Sequence, residues 1–197
     1  MKPELRRFQT EIRAAEDGTI SGFLLRWGEP GEIGWFRERF QAGAFAESLA
    51  NRAHDVVALW SHDWSKPMAS RDAGKLTVEE RDAGPYFEFT PNGASWSRDA
   101  LEAIKSGSTR GMSFGFVTID AAWETVNGEE IRTVSKADLY EISPVVMPAY
   151  ASSTVEARSA EEVWKKHLDE VGAASRSEKR ASSNLELLLA LNRTKGR

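Results

Sequence analysis

Alternation of hydrophobic and polar residues, or enrichment in β-branched residues, recurs in segments of residues 1–158, a pattern typical of β-strands. Helical spacing replaces it only at 44–50 and 96–106. Many strands with few helices predict a mainly β (α+β) fold, a closed β-barrel with helices packed outside it. The predicted strands are 8–13, 19–27, 34–40, 56–62, 75–79, 86–90, 112–119, 122–126, 131–135 and 139–146.

Turn and cap residues mark some of the element ends. Asn127 and Gly128 lie between two strand-like runs and predict a hairpin, because a type I′ turn needs a positive φ at both central positions. Ser95 is predicted to cap the start of the second helix, and Gly107 to end it.

The composition changes near Arg158, which predicts a strand-rich domain over 1–158 and a separate tail over 159–197. Only Trp164 of the chain's aromatic residues lies in the tail, so the tail can add little to a packed core. We expect it to hold a short helix, a flexible linker and a leucine-rich helical patch, at 161–171, 176–183 and 185–191. The patch either folds back on the domain or docks on a partner.

Composition and charge exclude several classes of protein. The absence of cysteine removes disulfide scaffolds, thiolate metal sites and cysteine nucleophiles. The net charge of −4 provides no general attraction to nucleic acid. The apolar run 142–155 is short and broken by prolines, and the first residues lack the apolar core of a signal peptide. We therefore expect a cytoplasmic protein without a membrane partner.

Ser113 is a candidate nucleophile in the segment 111–116. In a strand, three apolar residues would share the buried face, leaving Ser113 on the other face between Gly111 and Gly115. Glycine neighbours leave a hydroxyl open to approach, although an ordinary strand serine fits the same pattern. The G-x-S-x-G match does not indicate an α/β-hydrolase, because the residues that follow favour a strand where that fold needs a helix.

His62 is the candidate base, since it ends a buried-looking run and imidazole exchanges protons near neutral pH. By itself it fits a structural hydrogen bond equally well. His54 lies in a polar segment and His167 in the tail. The spacing of His54 and His62, eight residues apart and each followed by aspartate, matches no usual ligand pattern, so we predict neither a metal nor a cofactor.

The imidazole needs a third group to orient it, and Glu141 or Asp138 is the candidate. Glu141 interrupts an apolar run, where a carboxylate is unfavourable unless it is paired. A salt bridge from Glu141 to Arg110 or Arg132 is the alternative.

Four segments together resemble the prohead maturation proteases of HK97-like tailed bacteriophages and prophages. In chain order they read FRERFQAGAF (36–45), ALWSHD (58–63), GMSFGF (111–116) and LYEISPVVMPAY (139–150). That family consists of serine endopeptidases with a fold similar to the herpesvirus assembly protease. One departure is Met68–Ala69, where many relatives have Leu-Gly or Ile-Gly; it changes the surroundings of the base without removing a catalytic group.

The resemblance implies that Ser113 is the nucleophile, His62 the general base and Glu141 the third member of the triad. It also implies the substrate, which is the scaffolding part of the major capsid protein and the protease's own tail. We accordingly expect the enzyme inside the assembling procapsid in the bacterial cytoplasm, as a dimer by analogy with herpesvirus relatives. The alternatives are an inactive barrel that acts as a scaffold and a non-proteolytic serine hydrolase such as an esterase.

Overall fold

The computed structural model describes residues 3–8, 12–51, 54–146 and 158–174, which form eleven strands and three helices. The strands are β1 (Glu4–Phe8), β2 (Ile12–Ala14), β3 (Ile20–Phe23), β4 (Gly31–Glu32), β5 (Arg37–Phe40), β6 (Val57–Trp60), β7 (Asp63–Ser70), β8 (Leu76–Arg81), β9 (Gly84–Phe89), β10 (Gly111–Val126) and β11 (Glu129–Val145). The helices are α1 (Ala46–Ala50), α2 (Ser95–Lys105) and α3 (158–174).

The strands form two sheets. The larger, mixed sheet has the order β1-β10-β11-β5-β4, and β11 also pairs with β6, which pairs in turn with β7. The smaller sheet is antiparallel, with the order β2-β3-β9-β8. In the larger sheet β11 runs parallel to both β5 and β6, so a central strand near the end of the described chain is contacted by elements that come far earlier.

A long hairpin of β10 and β11 is the centre of the larger sheet. Asn127 and Gly128 close it with φ of 54° and 84°, and Val126 pairs with Glu129 across them, which confirms the predicted two-residue turn. β10 and β11 are each one strand where two were predicted. The register shifts at Ile119 of β10 and at Ser135 and Tyr140 of β11 without ending either strand.

Phenylalanine rings fill the core against the larger sheet. Phe40 stacks on Phe45 at a centroid distance of 5.4 Å, and Phe114 and Phe116 from β10 meet Phe40 edge to face at 5.7 and 5.2 Å. All four rings are fully buried. Because the apolar side of β10 is packed in this way, the Ser113 side chain projects from the opposite side of the strand, the side on which Gly115 leaves space.

A buried cluster of two arginines and two glutamates lies on β1, β5 and β11. Arg6 donates to Glu38 at 2.6 Å and to Glu4 at 2.8 Å, and Arg132 donates to the same two carboxylates at 2.8 and 2.6 Å. Although burial alone would raise it, hydrogen bonds from Arg132 and the charges of both arginines hold the pKa of Glu4 below its usual value. The charges cancel within the cluster, which makes their burial tolerable.

The helices follow the sequence predictions closely, except at the cap of α2. Ser95 is not its N-cap; Ala94 occupies that position, and the side chain of Asn92 takes over the polar role by accepting from Ala94 N and from the Ser97 hydroxyl. Gly107 follows the helix with φ of 73°, as expected for a helix end. β7 was not predicted, since Pro67 and its polar neighbours hide the strand pattern.

The chain divides into two compact units, residues 1–160 and 161–197. The predicted linker at 176–183 and the leucine-rich patch at 185–191 lie outside the described residues. In the described part of the chain, no helix combines the length and apolar character needed to cross a membrane.

Candidate active site

His62 lies in a two-residue turn between β6 and β7. Ser61 and His62 have φ of 52° and 62°, and Trp60 pairs with Asp63 across them, which is the geometry of a type I′ turn. Side chains with a Cβ disfavour this region of φ, at about 1–2 kcal/mol per residue. Two such residues in succession indicate that surrounding contacts hold the turn in place.

Glu141 on β11 forms one of those contacts. Its Oε1 lies 2.8 Å from Nδ1 of His62, and the carboxylate is only 3% exposed. β11 runs parallel to β6, with Glu141 in register with Val57, the first residue of β6, so the acid lies on the strand next to the one that leads into the His62 turn. The buried acid is therefore paired with imidazole.

Gly115 makes room for that carboxylate. It lies opposite Glu141 in the pairing of β10 with β11, and a Cβ at this position would lie 2.7 Å from Glu141 Oε1 and 3.0 Å from its Cγ. Any other residue here would displace the acid from its present place. Gly115 was predicted to expose Ser113, which is wrong because that serine is fully buried; the glycine instead accommodates Glu141.

Ser143, two residues beyond Glu141, makes two hydrogen bonds at the site. Its hydroxyl donates to Glu141 Oε2 at 2.6 Å and accepts from the backbone N–H of His62 at 3.0 Å. Sequence reasoning missed this residue, although its position at i+2 from Glu141 places both on one face of a strand.

Ser113 faces Ser143 across the hairpin. The two are directly paired in the antiparallel register, so their side chains project from the same face, with Cβ atoms about 4.5–5.5 Å apart. Ser113 is fully buried, and its hydroxyl donates to the carbonyl oxygen of Arg6 at 3.0 Å. The structure thus brings His62 and Glu141 into contact, and Ser113 lies on the strand next to Glu141 and faces the same side of the larger sheet.

The alternative partners of Glu141 are engaged elsewhere. Arg132 belongs to the buried charge cluster, and Arg110 donates through Nε to the carbonyl of Gly107 at 2.6 Å. Asp138, the alternative third group, is half-buried and pairs in register with Val117. It is Glu141 that bonds to the imidazole of His62.

The other histidines have different surroundings. His54 stacks on Tyr140 with centroids 4.4 Å apart, and its Nε2 lies 3.1 Å from the carbonyl of Leu139. His167 packs against Trp164 in the second unit. Among the described residues, no group of three or more histidine, aspartate or glutamate side chains is arranged to hold a metal ion.

Asp63, next to His62 in sequence, has a local role. Its carboxylate accepts from the hydroxyl and the backbone N–H of Ser65 and pairs with Lys66 at 3.1 Å. These hydrogen bonds lower the pKa of Asp63 to about 2. The Asp63 carboxylate therefore contacts residues at the start of β7.

A mainly β fold carrying an imidazole–carboxylate pair beside a strand serine is typical of a serine hydrolase. A family model described as the Caudovirus prohead serine protease matches residues 6–166, and the chain belongs to that family. The match confirms the resemblance seen in the four segments. The protein is accordingly a serine protease that acts in capsid assembly and maturation.

Comparisons with individual proteins are more distant. The capsid assembly protease of bacteriophage T4 matches in structure with a TM-score of 0.46 and 10% sequence identity, over 75% of this chain and 100% of the other. No curated protein sequence matches.

Proposed function

We propose that Ser113, His62 and Glu141 are the catalytic triad of this protease, with Ser113 as nucleophile, His62 as general base and Glu141 as the group that orients the imidazole. The observation that carries the proposal is the 2.8 Å contact between His62 Nδ1 and Glu141 on the face that Ser113 shares.

The hydrogen bond between His62 and Glu141 supports one tautomer of the imidazole. An ionised carboxylate only accepts, so Nδ1 of the imidazole carries the proton that Glu141 Oε1 receives. Nε2 then holds the lone pair and is the atom that can take a proton from a serine hydroxyl. Glu141 also stabilises the imidazolium that forms after that transfer.

Peptide hydrolysis follows in two stages. Ser113 Oγ bonds to the scissile carbonyl carbon as its proton passes to His62 Nε2; the C–N bond then breaks, and the same proton goes to the leaving amine. Water next attacks the acyl-enzyme and gives a proton to His62, which returns it to Ser113 Oγ as the carboxylic acid leaves. No cofactor takes part.

The Ser113 hydroxyl must rotate before it reacts. In the structure it donates to the Arg6 carbonyl, so transfer of the proton to His62 requires the O–H to turn away from that carbonyl. An apo enzyme commonly holds such groups in loose alignment until substrate arrives. Backbone N–H groups near Arg110–Gly111, or after Pro148 outside the described residues, are the expected oxyanion donors.

We further propose that the substrates are the scaffolding part of the major capsid protein and the protease's own tail, over 176–183. The sequence predicts a polar linker in this segment, and chain of that kind suits entry into a protease cleft. The enzyme would act inside the assembling procapsid in the bacterial cytoplasm, as a dimer whose larger sheet closes into a barrel like that of the herpesvirus protease. The family match supports the capsid role.

Labelling with a fluorophosphonate probe tests the triad. We expect wild-type protein and Ser48→Ala to be labelled, because Ser48 is a buried serine whose hydroxyl only accepts from Leu139 N. Ser113→Ala should not be labelled, and His62→Ala should be labelled far more slowly. Labelling that persists in Ser113→Ala would mean that another residue is the nucleophile.

Incubation with capsid protein separates the remaining alternatives. A protease cleaves it, an esterase is labelled without cleaving it, and an inactive scaffold protein does neither.

A further inference from the structure

The hydroxyl of Ser143 connects the two groups that hold the imidazole. It gives its proton to Glu141 Oε2 at 2.6 Å and accepts the backbone N–H of His62 at 3.0 Å. Ser143 is fully buried, so water does not compete for either bond. One side chain therefore contacts both the acid and the main chain of the base.

This connection acts on the least favourable part of the backbone. His62 has φ of 62° and follows Ser61 at 52°, so the turn needs external support to stay in this conformation. The bond from His62 N to Ser143 ties the turn to β11, the strand that carries Glu141. Two hydrogen bonds join His62 to β11, one to Ser143 and one to Glu141. Without the first, only the second remains.

The same bonds also rule against Ser143 as the nucleophile. Its proton is directed at a carboxylate, a weak base, while its oxygen already accepts from a main-chain donor. His62 Nδ1 is engaged with Glu141, and Ser143 lies on the carboxylate side of that pair. Ser113, directly opposite on β10, does not bond to Glu141.

We propose that Ser143 is a positioning residue, which holds the His62 turn and the Glu141 carboxylate in register so that Nε2 is presented to Ser113. The inference rests on the triad proposed above. It assigns to the E-x-S spacing of residues 141–143 a mechanical role, distinct from the chemical steps.

Steady-state kinetics of Ser143→Ala test it. We expect kcat to fall about 10- to 100-fold, the effect of losing a hydrogen bond to a charged group, with KM within about twofold of wild type. Ser143→Thr keeps the hydroxyl and should recover most of kcat. The matched control is Ser48→Ala, which removes another buried hydroxyl bonded to β11 and should leave kcat unchanged even if the melting temperature falls.

A double-mutant cycle distinguishes positioning from general stabilisation. In a Glu141→Gln background, Ser143→Ala should lower kcat by less than threefold, because the arrangement it maintains is already impaired. If Ser143→Ala lowers kcat by the same factor in the Glu141→Gln background as in wild type, or if folded Ser143→Ala keeps its kcat, the inference is overturned while the triad stays intact.

The variant Ser113→Ala tests the triad itself, which fails if this variant retains activity. Probe labelling of Ser113→Ala that disappears on adding Ser143→Ala would instead identify Ser143 as the nucleophile.

Discussion

The carboxylate of Glu141 lies over Gly115 on the neighbouring strand. It is so close that a Cβ at this glycine would lie 2.7 Å from Oε1. A single missing side chain on β10 thus determines where the acid of β11 can lie. Gly115, two residues from Ser113, is therefore needed to accommodate the acid.

Gly115→Ala should therefore impair catalysis more than stability. The atoms in the way belong to a side chain that can move, so the fold can adjust, but Glu141 must shift away from His62. We expect kcat/KM to fall about 100-fold, the scale of a misplacement of about 1 Å, with a melting temperature close to wild type. Gly93→Ala is the control, since a Cβ there meets nothing within 4 Å. Equal activities of the two variants would refute this.

Glu141→Gln should lower kcat by a factor on the order of 10³–10⁴, because an amide neither stabilises the imidazolium nor fixes the tautomer as a carboxylate does. Asp138→Asn, which removes the alternative acid three residues away, should stay within about threefold of wild type. Rates of cleavage of capsid protein at saturating substrate measure both. The reverse ranking would assign the third position to Asp138.

Ser61→Asn should stabilise the protein, because asparagine tolerates positive φ better than serine does. We expect a gain of about 0.5 kcal/mol, a rise in melting temperature of about 1–2 °C for a chain of this size. Scanning calorimetry measures it. A lower melting temperature would show that the serine at this position makes a contribution that backbone conformation does not explain.

Acid should weaken the buried charge cluster. The folded pKa of Glu4 lies below 4.5, so its contribution to stability is complete above that pH and is lost as the pH falls through the folded value. Glu4→Gln should lower the free energy of unfolding by about 3 kcal/mol at pH 7, and the difference from wild type should shrink below pH 4.5. Urea titrations at several pH values measure it. Glu129→Gln, at an exposed ion pair with Arg37, is the control and should change little.

Self-processing should depend on Ser113. Purified wild-type protein is expected to lose mass from its C-terminal end during incubation, with cuts within 176–183, while Ser113→Ala stays intact. Adding a small amount of wild type to Ser113→Ala should cleave the variant in trans. Mass spectrometry follows both samples. Identical intact masses in wild type and variant after prolonged incubation would exclude self-processing.

Local signals carried most of what the sequence could predict about the fold. The turn at Asn127–Gly128 and the end of α2 at Gly107 depend on residues whose backbone preferences act within a few positions. β7 was missed because its pattern is polar and contains Pro67. The predicted breaks, one inside β10 and one inside β11, were wrong because a bulge interrupts the alternation of side chains without interrupting the strand.

The site depends on pairings that no local pattern encodes. The sequence suggested His62 and Glu141 from their chemistry, yet their contact arises from the parallel alignment of β6 with β11, between residues 79 positions apart. Ser143 was overlooked because a serine beside an acid is common in strands. Its meaning appears only when the His62 turn is placed next to it.

The order of synthesis gives the parallel pairing of β6 and β11 a consequence in time. His62 is translated long before Glu141 and Ser143, and β11 is the last strand of the described chain. Until β11 has emerged from the ribosome, the imidazole of His62 lacks the Glu141 carboxylate that orients it. If the proposed triad is correct, the protein therefore cannot cleave itself or its neighbours before β11 has been synthesised.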